Sequence, residues 1–99
     1  MAEARVAGVS FVVHGNVQGV GYRWLVKVSA ERCGITGSVR NMPDGSVKIS
    51  AYGDPGRLDM FKESISVDMP SGPSVMHMES VAIETRSGKI PEEFVIEPT

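Results

Sequence analysis

Apolar and polar residues alternate from Val6 to about His14, with Val9, Phe11 and Val13 on one side and Ser10, Val12 and His14 on the other. A period of two predicts a half-buried strand. From Tyr22 to Cys33 the period changes. Tyr22, Leu25, Val26, Ser29, Ala30 and Cys33 fall on one helical face, Lys27 and Glu31 point away, and Gly34 follows as a left-handed C-terminal cap. Ile35–Met42 returns to strand character, Pro43-Asp44-Gly45 reads as a turn, and Ser46–Gly53 supplies a partner strand with Val47, Ile49 and Ala51 on its apolar face. Asp54-Pro55 opens a second helix, Asp as N-cap and Pro at the first helical position. Its predicted buried stripe is Leu58, Phe61, Ile65 and Met69. A loop over 70–74 precedes a strand predicted from His77 to Arg86, with Val81 and Ile83 facing the core. Phe94-Val95-Ile96 reads as a short last strand.

The order is β-α-β-β-α-β with a further short C-terminal strand. Each helix has one apolar stripe and the strands have one apolar face. An antiparallel sheet with both helices on one face satisfies this, an α+β, ferredoxin-like split βαβ sandwich. With 99 residues, the chain is expected to form one domain, 1–99.

Composition narrows the possibilities. Hydrophobic residues make up 41% and charged residues 22%, as in an ordinary folded domain. The net charge of −2 argues against a sequence-independent grip on nucleic acid. Cys33 is the one cysteine, so no internal disulfide can form, and no Cys/His spacing suggests a metal site. No apolar run is long enough to span a membrane, and Met1-Ala2-Glu3-Ala4-Arg5 lacks a signal-peptide layout. The expectation is a reduced cytoplasmic domain without metal or cofactor.

The segment Gly15-Asn16-Val17-Gln18-Gly19-Val20-Gly21-Tyr22-Arg23 joins a strand to a helix N-terminus. Backbone N–H groups there lack intrahelical partners and the helix dipole is positive. Glycines allow successive N–H groups to converge, a geometry that suits a phosphate, and Arg23 in the first turn could close over the same point. An ordinary connecting loop followed by a solvated arginine fits the glycine pattern equally. The segment is neither a Walker loop, since no Gly-Lys-Ser/Thr follows, nor a dinucleotide fingerprint.

Topology adds a second residue. In a split βαβ sheet the first and second strands flank the third, so their C-terminal ends lie at one edge. Val39-Arg40-Asn41 is thereby placed beside the glycine loop, with Asn41 sharing the helix-covered face of Val39. A neutral carboxamide there could hold a water without repelling an anion. It could also be a hairpin residue ahead of Met42-Pro43-Asp44-Gly45.

These residues carry a family likeness. Gly15–Arg23, followed by Asn41 within Gly37-Ser38-Val39-Arg40-Asn41, resembles acylphosphatase. The likeness extends through Asp44-Gly45, Gly53-Asp54-Pro55, Gly72-Pro73 and Phe94-Val95-Ile96. It implies metal-free hydrolysis of an acyl phosphate to a carboxylate and inorganic phosphate by in-line attack of water. The resemblance assigns the phosphate cradle to the backbone of Gly15, Asn16, Val17, Gln18, Gly19 and Val20, phosphate binding to Arg23 and water positioning to Asn41. No cofactor is implied. The implied ligands are a small acyl phosphate and its product, inorganic phosphate, as an inhibitor. Neither nucleic acid nor membrane is expected as a partner, and the simplest state is a monomer. The sequence departs from the family at Tyr22, often Phe, at Ser38, often Trp, and at its ending, Ile96-Glu97-Pro98-Thr99.

Other residues read more plainly. His14 and Arg40 alternate toward the open face, and His77 is read as structural or solvated. Cys33 is a small core residue. Trp24 lies off the main stripe and is read as covering an edge of the core or of the site, with packing the favoured role. Met60, Met69, Met76 and Met78 are read as gap-fillers. Two alternatives compete with a stand-alone enzyme. One is a carbamoyl-phosphate-hydrolysing domain like that of hydrogenase maturation proteins, which carry a similar loop but continue into zinc-binding cysteine motifs. The other is a non-catalytic module such as an anion-binding or RNA-recognition sheet, for which the third strand offers only Tyr52 and Lys48.

Overall fold

The computed structural model describes residues 6–85 and 89–98. Its elements are β1 (Ala7–Asn16), α1 (Tyr22–Cys33), β2 (Thr36–Asn41), β3 (Val47–Gly53), α2 (Pro55–Ile65), β4 (Ser74–Ile83) and β5 (Phe94–Ile96). One five-stranded sheet has the order β4-β1-β3-β2-β5. The expected α+β, ferredoxin-like arrangement is present. The sheet is mixed, however: β5 pairs in parallel with β2, Val39 opposite Ile96, and the other pairings are antiparallel.

The core lies between the sheet and the two helices. Phe11, Val13, Val39, Ile49 and Ala51 meet Val26 and Ala30 from α1 and Leu58, Phe61 and Ile65 from α2. The Phe61 ring sits 6.1 Å from Phe11 on β1 and 6.1 Å from Phe94 on β5, tying the middle of the sheet to its far edge. Gly34 closes α1 in the left-handed conformation as predicted (φ 68°). Asp54 caps α2, its carboxylate accepting from the Gly56 and Arg57 N–H groups at 2.9 and 3.4 Å.

Three expectations about side chains fail, each because tertiary contacts override local pattern. Val81 and Ile83 were expected on the core face of β4, but Val81 is 66% exposed. Opposite residues of an antiparallel pair share a face. Phe11 faces Ser80 and Val13 faces Met78, so Val81, opposite Ser10, and Ile83, opposite Gly8, lie on the open face. Strand β4 begins at Ser74, earlier than predicted, and Arg86 lies outside the described residues. Met69 falls beyond the end of α2 and is exposed, as are Met60 and Met76, so of the four methionines read as gap-fillers only Met78 packs against the core. Lys27, expected to point away, reaches across to β5, where Nζ donates to the Phe94 carbonyl at 2.8 Å while pairing with Glu31 at 3.2 Å.

Candidate active site

Strand β1 runs two residues past its predicted end, because a bulge between His14 and Gly15 lets Gly15 and Asn16 continue pairing with β4. Gly15 has φ +140°, and a Cβ there would stand 2.3 Å from the Ser74 carbonyl oxygen and 2.8 Å from the Met76 nitrogen. Close approach of a neighbouring backbone therefore demands glycine at 15. The connection to α1 then spans residues 17–21. Gly21, left-handed at φ 78°, is the N-cap of α1, and no side chain caps that end. The contrast with α2 is direct: Asp54 satisfies the first amides of α2, whereas no side chain caps those of α1.

At this end of α1 lies a cavity of about 220 Å³. Val17, Gly19 and Gly21 line it from the loop, Tyr22, Arg23 and Trp24 from the first turn of α1, Asn41 from the end of β2, and Ile96 from β5. Arg23 and Asn41 are both half-buried. Of the predicted site residues, Val17, Gly19, Arg23 and Asn41 thus converge on one hollow. Gly15 and Asn16 belong to the strand leading into it, and the Asn16 side chain donates to the Gly72 carbonyl at 3.3 Å. Val20 packs against the core.

Gln18 has a different task. Its Nε2 donates to the carbonyls of Met42 and Ser46, at 2.9 and 2.8 Å. The glycine loop is thereby tied to the hairpin that follows Asn41. On the hairpin, the Asp44 carboxyl is held below its usual range by hydrogen bonds from the Ser46 hydroxyl and N–H.

The structure adds one feature to the site and decides another. The Arg23 guanidinium donates from Nη1 to the Glu97 carbonyl at 2.8 Å, and Glu97 in turn donates its N–H to Val39 at 2.9 Å. Both are backbone acceptors, so no side-chain pattern could mark them. Trp24, read as packing, is 61% exposed on the rim of the cavity. Its place one residue after Arg23 was the available signal.

The departures from the family pattern find places too. The Tyr22 ring is buried and its hydroxyl donates to the Ile65 carbonyl at 2.8 Å, joining the start of α1 to the end of α2. Burial pushes this hydroxyl well above its usual pKa. Ser38 lies opposite Ser50 and Val95 on the open face, away from the cavity. Also on the open face, His14 contacts Glu79 at 3.2 Å and stands 5.7 Å from the His77 ring. Among the described residues no group of three or more His, Cys, Asp or Glu could hold a metal ion.

The protein is thus a small ferredoxin-like α+β domain in which an uncapped helix end, one arginine and one carboxamide surround a hollow. The chain belongs to the acylphosphatase family: the family model matches residues 9–96. It is 39% identical over 79 residues to an acylphosphatase of Lactiplantibacillus plantarum, covering 80% of this chain and 88% of that one. The crystal structure of acylphosphatase from Bacillus subtilis superposes with a TM-score of 0.83 at 30% identity, over 93% of this chain and 99% of that one. Full-length HypF superposes at a TM-score of 0.82 and 20% identity, over 98% of this chain but 12% of that one, a likeness of fold alone. These matches support acyl-phosphate hydrolysis and do not favour the carbamoyl-phosphate alternative.

Proposed function

We propose that residues 1–99 form a single acylphosphatase domain that hydrolyses an acyl phosphate in the cavity at the start of α1. The observation that carries this reading is that the uncapped N-terminus of α1, Arg23 and Asn41 all face one hollow. The backbone amides of residues 15–20, next to the uncapped start of α1, hold the phosphoryl oxygens, and Arg23 neutralises the charge that develops on them. Asn41 orients a water in line with the leaving group. The water oxygen bonds to phosphorus as the bond between phosphorus and the acyl oxygen breaks. The carboxylate departs with the electron pair, and the water's proton passes to a phosphate oxygen. A carboxylate leaves without protonation, so the path calls on neither a general acid nor a metal or cofactor. Positioning and electrostatic stabilisation do the catalysis.

Inorganic phosphate would compete for the same cradle. In this reading the enzyme acts as a monomer in the cytoplasm, and among the described residues no helix is long and apolar enough to cross a membrane.

The test is hydrolysis of benzoyl phosphate in the presence of chelator by wild type, Arg23→Gln and Asn41→Ala. Removal of one such charge-stabilising donor should lower kcat by roughly 10²–10³, with far-UV circular dichroism unchanged. Full activity of Arg23→Gln overturns the reading.

A further inference from the structure

We propose that Trp24 is a specificity-determining residue, forming with Ile96 an apolar wall that selects acyl phosphates whose acyl group is uncharged and flat, such as an aroyl group. This rests on the acylphosphatase reading and adds the substrate class.

The cavity lining leaves few surfaces for the acyl group to meet. Val17 and Tyr22 are each 1% exposed and form a floor with almost no surface to offer. Gly19 and Gly21 present backbone only. Arg23 and Asn41 are polar and engaged with the phosphoryl group and the water. Trp24, 61% exposed, and the partly buried Ile96 are the apolar side chains left. A phosphoryl group anchored at the helix end leaves its acyl substituent to the remaining lining, where these two residues supply the apolar side chains. Arg23 is the one charged side chain of the lining, so an acyl group bearing its own charge would find no further partner there. An indole face left in water gains from covering by a flat apolar group, and stacked rings add to simple area burial.

Such contacts form as substrate binds and persist through the reaction, so they should act on KM and leave kcat nearly unchanged. Benzoyl phosphate and acetyl phosphate share the reacting centre and differ in the acyl group. Steady-state kinetics on wild type, Trp24→Ala and Trp24→Phe separates the two ends of the cavity. For Trp24→Ala the KM for benzoyl phosphate should rise roughly tenfold. The KM for acetyl phosphate should change less than about twofold, and inhibition by inorganic phosphate should be unaltered. Trp24→Phe should restore most of the benzoyl phosphate affinity. Because the side chain lies outside the core, melting temperatures should match.

An unchanged benzoyl phosphate KM, or equal shifts for both substrates and for phosphate, would overturn the assignment. If wild type hydrolyses neither compound, the parent reading fails. Activity on both with no selective effect of Trp24→Ala defeats the specificity wall alone.

Discussion

The Arg23 guanidinium is held from Nη1 by the backbone carbonyl of Glu97, 2.8 Å away, across 74 residues of sequence. A flexible side chain at the mouth of a cavity is thereby given one position, and its remaining N–H groups are left for an anion. Glu97 directly follows β5, a strand only three residues long. That strand is secured by pairing with β2, by the Phe94 ring against Phe61, and by Lys27 on the Phe94 carbonyl.

Deleting residues 97–99 should therefore lower kcat/KM between about tenfold and a hundredfold, since small displacements of a reacting group carry penalties of that order. Secondary structure by circular dichroism should be retained. Wild-type kinetics in the truncated chain would show that Arg23 needs no such support.

Gln18 should matter through its side chain, although its candidate role lay in its backbone. Gln18→Leu leaves the Met42 and Ser46 carbonyls without this donor and frees the loop from the hairpin. Destabilisation of about 1–3 kcal/mol is expected in urea unfolding, together with a raised KM. A stable variant with unchanged KM would contradict the tie.

Tyr22→Phe removes the hydrogen bond to Ile65 within the core and should destabilise by about 1–2 kcal/mol near neutral pH. Burial raises the folded-state pKa of this hydroxyl, whereas the unfolded chain loses the proton near pH ~10. The folded state then binds more protons than the unfolded one, so wild-type stability falls as pH rises past about 10. The phenylalanine variant lacks that loss, and the stability gap between the two should narrow at alkaline pH. Chemical denaturation at pH ~7 and ~10.5 measures it.

Gly15→Ala places a methyl group against the backbone of β4 at a positive φ. Strand β4 must move to accommodate it, and a loss of about 3 kcal/mol or more is expected. A variant as stable as wild type would mean that the bulge can be relieved without displacing the strand.

Much of this was legible along the chain. The change of period from two to helical spacing at Tyr22 marks the start of α1, and Asp54-Pro55 marks that of α2, because capping chemistry is local. The pairing of β1 and β2 on either side of β3 follows from the element order, and it brings Asn41 to the cavity that Arg23 lines. Strand β4 was misread for a physical reason: alternation gives relative parity only, and on an edge strand apolar residues occur on both faces. Pairing with β1, which sets Ser80 opposite Phe11 and Met78 opposite Val13, decides which parity faces the helices.

By itself, then, the sequence determined the elements, their order and the placing of an arginine and a carboxamide at one sheet edge. Those depend on periodicity, caps and turns, interactions between near neighbours. Only the tertiary structure decided that Glu97 holds Arg23, that Gln18 fastens the loop to the hairpin, and that Trp24 stands open beside the site. The two contacts end on backbone carbonyls from distant segments, and an indole's exposure depends on what packs beside it. Acceptors of that kind are the same at every residue, so only the folded chain distinguishes them.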